Sequence, residues 1–321
     1  MNGVLCLKLH ENKEDFFETI EMVSQYYNLS PSIIEKDYWV TRSLYLLSQN
    51  EMRDYAIFKG GTSLTKCYKD LKRFSEDIDI GILKENLGTT AIKKRMKNIE
   101  IAMKDDSFEV VNKIADSKTC RETEFKYNSL YDNGLNELHK NIRFEIMSFL
   151  EPTPYERRTV TSFIQDYLYE NNFLDAIYEN EMQRFELNVL SLDRTLLEKM
   201  VSLVRMSYGK DFIELRRKTR HLYDIHMFYG LNRDFFSNKE KCLELIDNIK
   251  KFEQESRFGE EYPLDKKWWE SSLLEAFNNK GIKNAYEEIF GKEFVYGELP
   301  KFNDVENTFK ELFCIFKELN I

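Results

Sequence analysis

The chain contains few of the residues that make turns. Of its 321 residues, 12 are glycine and 5 are proline, about 5% together, whereas an average chain has about 12%. Sandwiches and barrels of short strands need a turn roughly every ten residues, so this scarcity excludes an all-β fold and favours long helices. Hydrophobic residues make up 42% of the chain, which excludes global disorder and supplies a packed core.

Paired cysteines and long apolar segments are also missing. The five cysteines are odd in number and form no CxxC pair, which argues against a disulfide framework or a zinc site. No uncharged apolar run approaches the roughly 18 residues of a membrane span, and the N-terminal segment becomes acidic too early for a signal peptide. We therefore expect a cytoplasmic protein with no membrane partner.

The overall charge does not favour binding to polyanions. The formal net charge is −9, so any nucleic-acid contact has to come from a local patch. Three basic clusters are present: Lys66, Lys69, Lys72 and Arg73; Lys93, Lys94, Arg95 and Lys97; Arg216, Arg217, Lys218 and Arg220. Each is either a solvated helix face or a contact for phosphates. The first and third lie near the motifs described below, which favours them as contacts for an RNA backbone or a triphosphate.

The order of predicted elements indicates an α+β chain with two domains. Helices are predicted over about residues 12–27 and from Ser30 onward, where an N-cap serine precedes a proline. Strands are predicted over residues 55–58, 77–82, 108–114, 122–127 and 142–149, with helices over 62–71 and 89–104. The segment EPTP at 151–154 ends the last of these strands, because proline cannot donate to a strand ladder. We expect a mixed-sheet domain with N-terminal helices over 1–154 and a mainly helical domain over 155–321, with one further strand at Phe185–Leu190.

The clearest chemistry lies in residues 58–82, FKGGTSLTKCYKDLKRFSEDIDIGI. Asp77 and Asp79 alternate with apolar residues on a predicted strand, so both project from one face, about 6.5 Å apart. Two such acids are compatible with solvated side chains. They are also the oxygen ligands that hard divalent cations prefer, and paired Mg²⁺ ions assist phosphoryl and nucleotidyl transfer.

The GGTS segment before the predicted helix favours the second interpretation. Gly60 and Gly61 allow a phosphate to approach the backbone, and Thr62, Ser63 and the helix amides would complete an anion site. We include the following Lys66 as a nucleotide contact. A plain turn is the alternative for the glycine pair, and the spacing is not that of a Walker A loop.

A third candidate carboxylate is Glu145, in the segment KNIRFEIM. Ile142, Phe144 and Ile146 alternate with it, so Glu145 lies on the polar face of a predicted strand. If that strand neighbours the one that carries Asp77 and Asp79, three carboxylates converge on a metal site. Glu145 is alternatively a partner of Arg143 or a solvated residue.

Together these motifs resemble the AbiEii-type nucleotidyltransferase toxins of bacterial abortive-infection systems, within the DNA polymerase β superfamily. The resemblance rests on IEKDYWVTRSL at 34–44, FKGGTSLTKCY at 58–68, RFSEDIDI at 73–80, LLEKMVSLVR at 196–205 and RHLYDIHMF at 220–228. It implies a polymerase β-like domain with a small mixed sheet and a C-terminal helical bundle. It also implies Mg²⁺ or Mn²⁺, an NTP substrate, an RNA acceptor such as tRNA, and a toxin role with a separate antitoxin protein.

The resemblance extends the candidate site to two later residues. It makes Lys199 a nucleotide-phosphate or catalytic lysine and Asp224 an active-site acid, in addition to Asp77 and Asp79 as metal ligands. Lys199 is alternatively an ordinary surface lysine, and Asp224 has an i,i+4 partner in Arg220. Many members of the family carry an acid where this chain has His221. That histidine and His226 are five residues apart, which does not place them together as zinc ligands.

Two further functions remain open at this point. One is a catalytically silent NTP-binding regulatory protein, which would not need both Asp77 and Asp79. The other is a nucleotidyltransferase that modifies a protein or a small molecule instead of RNA.

Overall fold

The computed structural model describes residues 7–68, 71–131, 141–208, 212–231, 233–255 and 267–320. The chain is a mixed α/β protein that divides into two compact units. The first unit ends at Leu190 and contains the sheet. The second unit comprises the residues from Ser191 onward together with the short segment 71–73.

A mixed sheet of seven strands forms the centre of the first unit within the described residues. Its strands are β1 (Ala56–Lys59), β2 (Ile78–Ile82), β3 (Phe108–Asp116), β4 (Cys120–Tyr127), β5 (Asn141–Met147), β6 (Tyr155–Val160) and β7 (Phe185–Leu190). Their order is β3-β4-β5-β2-β1-β7-β6. The β2–β5 and β1–β7 pairs are parallel, and the other neighbours are antiparallel.

The sheet continues beyond residue 154, where the sequence indicated a domain boundary. The strand predicted at Phe185–Leu190 is confirmed as β7. Strand β6 was not predicted, because five of its six side chains, in YERRTV, are at least partly exposed and show no apolar alternation. It lies at the edge of the sheet, where it pairs with β7, a position in which strands tolerate polar side chains.

Helices cover the sheet of the first unit. They are α1 (Lys13–Tyr27), α2 (Pro31–Ser48), α3 (Gly60–Cys67), α4 (Thr89–Ala102), α5 (Phe163–Glu170) and α6 (Leu174–Glu179). The predicted starts of the first two are confirmed, since the Ser30 hydroxyl accepts a hydrogen bond from the Ile33 amide and Asn12 caps α1. Helix α3 begins two residues before the predicted start and ends at Cys67 rather than at residue 71.

The second unit is helical. Its helices are α7 (Leu192–Ser207), α8 (Ile213–Arg216), α9 (Thr219–Tyr229), α10 (Arg233–Ser237), α11 (Lys239–Glu255), α12 (Leu273–Ala276), α13 (Lys280–Asn284), a π-helical turn (Ala285–Phe290), α14 (Gly291–Phe294) and α15 (Phe302–Leu319). Buried aromatic side chains such as Trp268, Phe309 and Phe316 form much of its core. None of the helices in the described ranges has the length and apolar character needed to cross a membrane.

Helix α2 carries charged residues inside the first unit. Asp37 accepts a hydrogen bond from the Lys66 ammonium at 2.7 Å, and the same ammonium lies 2.7 Å from the Thr41 hydroxyl. Lys36, which is wholly buried, pairs with Glu76. Because Lys66 belongs to α3 and Glu76 directly precedes Asp77, helix α2 holds both motif segments through ion pairs.

We expect Lys36→Met to lower the free energy of unfolding by about 3–5 kcal/mol, because it leaves the Glu76 carboxylate buried without its cation. Urea unfolding at neutral pH measures this loss. The double variant Lys36→Met/Glu76→Met is the control, since replacing a whole buried pair with apolar side chains is close to neutral. Equal losses in the single and double variants would contradict the assignment.

Candidate functional site

Gly60 occupies the turn between β1 and α3 for two physical reasons. Its φ is +76°, a left-handed conformation that glycine adopts without strain. A Cβ atom at this position would lie 2.0 Å from Oδ2 of Asp79, so no side chain fits. The sequence explained the glycine pair by the approach of a phosphate. The structure shows that Gly60 is also required by the backbone and by the Asp79 carboxylate.

The start of α3 presents backbone amides beside Asp79. Its N-cap residue, Lys59, makes no side-chain cap, and the first amides of a helix have no acceptor within the helix. The helix dipole adds partial positive charge at the same end. The amides of Gly61, Thr62 and Ser63 therefore have the geometry of an anion site.

The two hydroxyls of the GGTS segment bond within the protein. Thr62 donates to the carbonyl oxygen of Asp77, and its hydroxyl lies 3.0 Å from that of Ser75. Ser63 donates to the carbonyl oxygen of Gly60 at 2.9 Å, and Thr62 and Ser63 are both wholly buried. We therefore assign the anion site to the amides, and the hydroxyls to holding the turn against the segment that carries Asp77.

Lys66 is not positioned as a nucleotide contact. Its ammonium is buried against Asp37 and Thr41, and these contacts use its hydrogen-bond donors inside the first unit. We therefore leave Lys66 out of the site that we propose below.

The three candidate carboxylates share one face of the sheet. Asp79 is in register with Glu145 on the parallel neighbour β5, so the two side chains project from the same face. Asp77 directly precedes β2, two residues before Asp79, and all three acids are partly exposed. The expectation that the strand of Glu145 neighbours the Asp77-x-Asp79 strand is thus confirmed.

Glu145 also belongs to a tighter group. One ligand atom from each of Cys120, Glu122 and Glu145 lies within 4.8 Å of the other two. Among the described residues, this is the group of three potential metal ligands that lie so close together. Arg143 pairs with Glu122 rather than with Glu145. Asp77 and Asp79 are not members of this group, and its Cys120 thiol is a soft donor. The ligands on this face that suit Mg²⁺ or Mn²⁺ are therefore the carboxylate oxygens and not the thiol.

Lys199 and Asp224 meet in a buried charge cluster of the second unit. Arg73 binds the Asp224 carboxylate through both oxygens, at 2.6 and 2.8 Å, and the Lys199 ammonium lies 3.0 Å from Oδ2. Asp224 is 0%, Arg73 1% and Lys199 6% exposed. Lys199 is therefore not an ordinary surface lysine, and Asp224 binds Arg73 and Lys199 rather than Arg220.

The cations of this cluster control its protonation. Burial by itself would raise the pKa of Asp224, but Arg73 and Lys199 together hold that pKa below its usual value. Burial lowers the pKa of Lys199, although Asp224 opposes the shift. Burial and the neighbouring Lys199 and Lys218 lower the pKa of His221 well below its usual value, so His221 is neutral at physiological pH.

His221 and His226 have different surroundings. The Nδ1 atom of His221 is buried without a hydrogen-bond partner among the described residues. Nδ1 of His226 lies 2.8 Å from the Thr308 hydroxyl. Neither histidine belongs to the group of metal-type side chains around Glu145.

Arg73 is the residue of this cluster that the sequence analysis missed. The sequence places Arg73 in a basic cluster with Lys66, Lys69 and Lys72, as a solvated helix face or a contact for phosphates, whereas no helix forms over residues 71–73. Instead Arg73 bridges to Val295, and the Tyr296 amide donates to the Lys72 carbonyl at 3.0 Å. The available signal was the segment RFSEDIDI, one of the motifs on which the family resemblance rests, because it begins at Arg73.

Gly60→Ala should lower the free energy of unfolding by about 1–3 kcal/mol, because alanine is strained at positive φ and its methyl group displaces Asp79. Thermal or urea unfolding measures the loss. Gly230→Ala is the matched control, since a Cβ there meets nothing within 4 Å. Equal stability of the two variants would show that the turn does not constrain Asp79.

We expect Asp224→Asn to lower the free energy of unfolding by about 3–5 kcal/mol at pH 7, because two buried cations lose their carboxylate. The native pKa of Asp224 is depressed, so this contribution is complete above the unfolded pKa of about 3.9 and is lost as the pH falls through the native value. The difference from wild type should therefore shrink below about pH 4. Urea unfolding from pH 7 to pH 3.5 tests the sign, with the exposed Asp106→Asn as control.

Comparisons with known proteins identify a family and similar folds. A family model described as "Nucleotidyl transferase AbiEii toxin, Type IV TA system" matches residues 42–306. Among solved structures, MenT4, a nucleotidyltransferase toxin from Mycobacterium tuberculosis, is 16% identical over 93% of this chain and 89% of its own, with a TM-score of 0.59. JHP933 from Helicobacter pylori is 16% identical over 89% of this chain and 92% of its own, with a TM-score of 0.41. No curated protein gives a significant match.

The likeness to MenT4 confirms the predicted nucleotidyltransferase fold. The family model spans most of the chain and includes the turn at Gly60, both acids of the Asp77-x-Asp79 segment, Lys199 and Asp224. The chain therefore belongs to the AbiEii family of nucleotidyltransferase toxins.

Proposed function

We propose that this chain transfers a nucleoside monophosphate from an NTP to a hydroxyl group of RNA, with tRNA as the favoured acceptor, in a reaction that requires Mg²⁺ or Mn²⁺. The observation that carries the proposal is the contact between the Asp79 carboxylate and Gly60. This contact brings a metal-type ligand to the helix start whose amides suit a phosphate. A nucleotidyltransferase needs these two elements side by side.

The roles in the first unit follow from the chemistry of each group. The amides of Gly61, Thr62 and Ser63 would bind the β and γ phosphates. Asp77 and Asp79, with Glu145 on the neighbouring strand, would hold the divalent cations. When bound, such ions lower the pKa of an acceptor hydroxyl and neutralise charge on the phosphates.

In the second unit, we propose Lys199 as a phosphate-binding or catalytic lysine. Asp224 is wholly buried and binds the ammonium of Lys199 and the guanidinium of Arg73. It therefore acts as a positioning residue for Lys199 rather than as a proton acceptor. With two cations held by one carboxylate, the cluster keeps an excess of positive charge.

The family supports a toxin role and a cognate antitoxin for this chain. Nucleotidyltransferase domains also modify proteins and small molecules, so the family alone does not specify the acceptor. RNA is the acceptor that we propose. The intact Asp77-x-Asp79 segment and its register with Glu145 favour catalysis over a silent NTP-binding regulator.

Asp79→Asn should lower transfer of label from NTP to RNA by at least about 100-fold, because it removes a charged oxygen ligand next to the phosphate site. The assay incubates the full chain with each α-labelled NTP, total RNA and Mg²⁺, followed by gel separation. Transfer should stop on chelation of the metal and return with Mg²⁺ or Mn²⁺. Asp106→Asn, an exposed acid outside the site, should keep wild-type activity.

The same incubation separates the alternatives. Label that enters protein or a small molecule but not RNA would replace the acceptor and keep the enzyme. Metal-dependent NTP binding without transfer to any acceptor would instead favour the silent regulator. Equal transfer by wild type and Asp79→Asn would overturn the assigned metal site.

A further inference from the structure

A basic groove lies on the first unit between α4 and the β3–β4 hairpin. Its volume is about 630 Å³. The cations that line it, which define the basic groove here, are Lys93, Lys94, Lys97, Lys113, Lys118 and Arg121. Asp116 is the acid among the lining residues, so positive charge dominates this surface on a chain whose formal net charge is −9.

Two of these cations are neutralised by neighbouring acids. Arg121 binds both oxygens of Glu100, at 2.8 and 2.9 Å, and lies 3.2 Å from Asp116. Lys93 lies 3.3 Å from the same aspartate. These pairs fix the wall between α4 and the hairpin, and they leave the charge of the other cations uncompensated.

Four exposed lysines carry that charge. They come from two separate segments of the chain and are Lys94, Lys97, Lys113 and Lys118. None of the four forms an ion pair with another described residue. The sequence indicated the helical lysines as a solvated face. The sequence did not indicate that the hairpin brings two more cations to the same groove. The proximity of these positive charges is unfavourable unless an anion binds between them.

We propose that the basic groove binds the phosphate backbone of the acceptor RNA, an inference that rests on the proposed function. Ammonium groups bind phosphates as point charges and need no fixed geometry. Arg121, whose guanidinium is suited to bidentate pairing with a carboxylate, is already bound to Glu100. The exposed Thr89 and Thr90 on the groove wall add hydroxyl donors of the kind that contact phosphate oxygens.

The groove and the candidate carboxylates use opposite faces of the sheet. Cys120 and Glu122 approach Glu145 on one face, whereas Arg121, between them on β4, projects from the other. An acceptor that contacts both faces has to extend around the sheet, as a folded RNA of tRNA size would. The groove therefore binds the body of the acceptor and contributes affinity rather than chemistry.

The test is the charge-neutral variant Lys94→Gln/Lys97→Gln/Lys113→Gln in the full chain. The matched control removes three exposed lysines elsewhere, Lys13→Gln/Lys280→Gln/Lys301→Gln, and changes the net charge equally. Fluorescence anisotropy with a labelled tRNA-sized transcript gives the affinity at several salt concentrations. The groove variant should bind about tenfold or more weakly at 0.15 M salt, and its logarithmic salt slope should fall by about 2 to 3.

Kinetics give a second measurement. The groove variant should raise the KM for RNA about tenfold, with kcat and the Kd for NTP within about twofold of wild type. A folding defect would instead impair RNA binding, NTP binding and turnover together. Wild-type RNA affinity and salt slope in the groove variant would overturn the inference. So would loss of binding to poly-glutamate with RNA binding intact, which would assign the groove to an acidic protein.

The inference and the proposed function fail separately. If wild type transfers nothing to RNA but the groove variant still loses RNA affinity relative to its control, the groove assignment holds and the acceptor proposal fails. If RNA is labelled and the groove variant has an unchanged KM, the reverse is true.

Discussion

The buried ion pairs of helix α2 are the constraint on which the first unit depends. Asp37 binds Lys66 of α3, and Lys36 binds Glu76 beside the carboxylate strand. Buried charges are costly unless each is paired, so α2, α3 and the start of β2 have one relative arrangement in which these costs are met. That arrangement brings the start of α3 into contact with Asp79 and so creates the candidate phosphate and metal site.

Much of this arrangement follows from the sequence. Alternation of apolar residues predicted the strands of the Asp77-x-Asp79 and Glu145 segments, and an N-cap serine before a proline predicted the start of α2. The glycine pair was informative because glycine is scarce. The missed strand β6 has an exposed, polar sequence at a sheet edge, where pairing rather than side-chain pattern decides the conformation.

Contacts between distant parts of the chain determine the partners of several charged residues in the motifs. Lys66 and Arg73 belong to one basic cluster in the sequence, yet each finds a buried carboxylate far away along the chain, Asp37 and Asp224 respectively. Likewise Asp224 has a local partner in Arg220 but binds Arg73 and Lys199. Spacing along the chain suggests possible partners for a charged residue. Burial decides which of them it binds, because a wholly buried carboxylate must be paired and a single partner at the surface is not enough.

The short segment 71–73 limits how the protein can be divided. It precedes the carboxylate strand of the first unit, yet its partners Asp224, Val295 and Tyr296 all lie after residue 190. A fragment that ends at Leu190 would expose the Arg73 guanidinium and the Lys72 backbone without their partners. A truncation at Leu190 is therefore expected to destabilise the segment that leads into the carboxylate strand, and not only to remove the helices that follow.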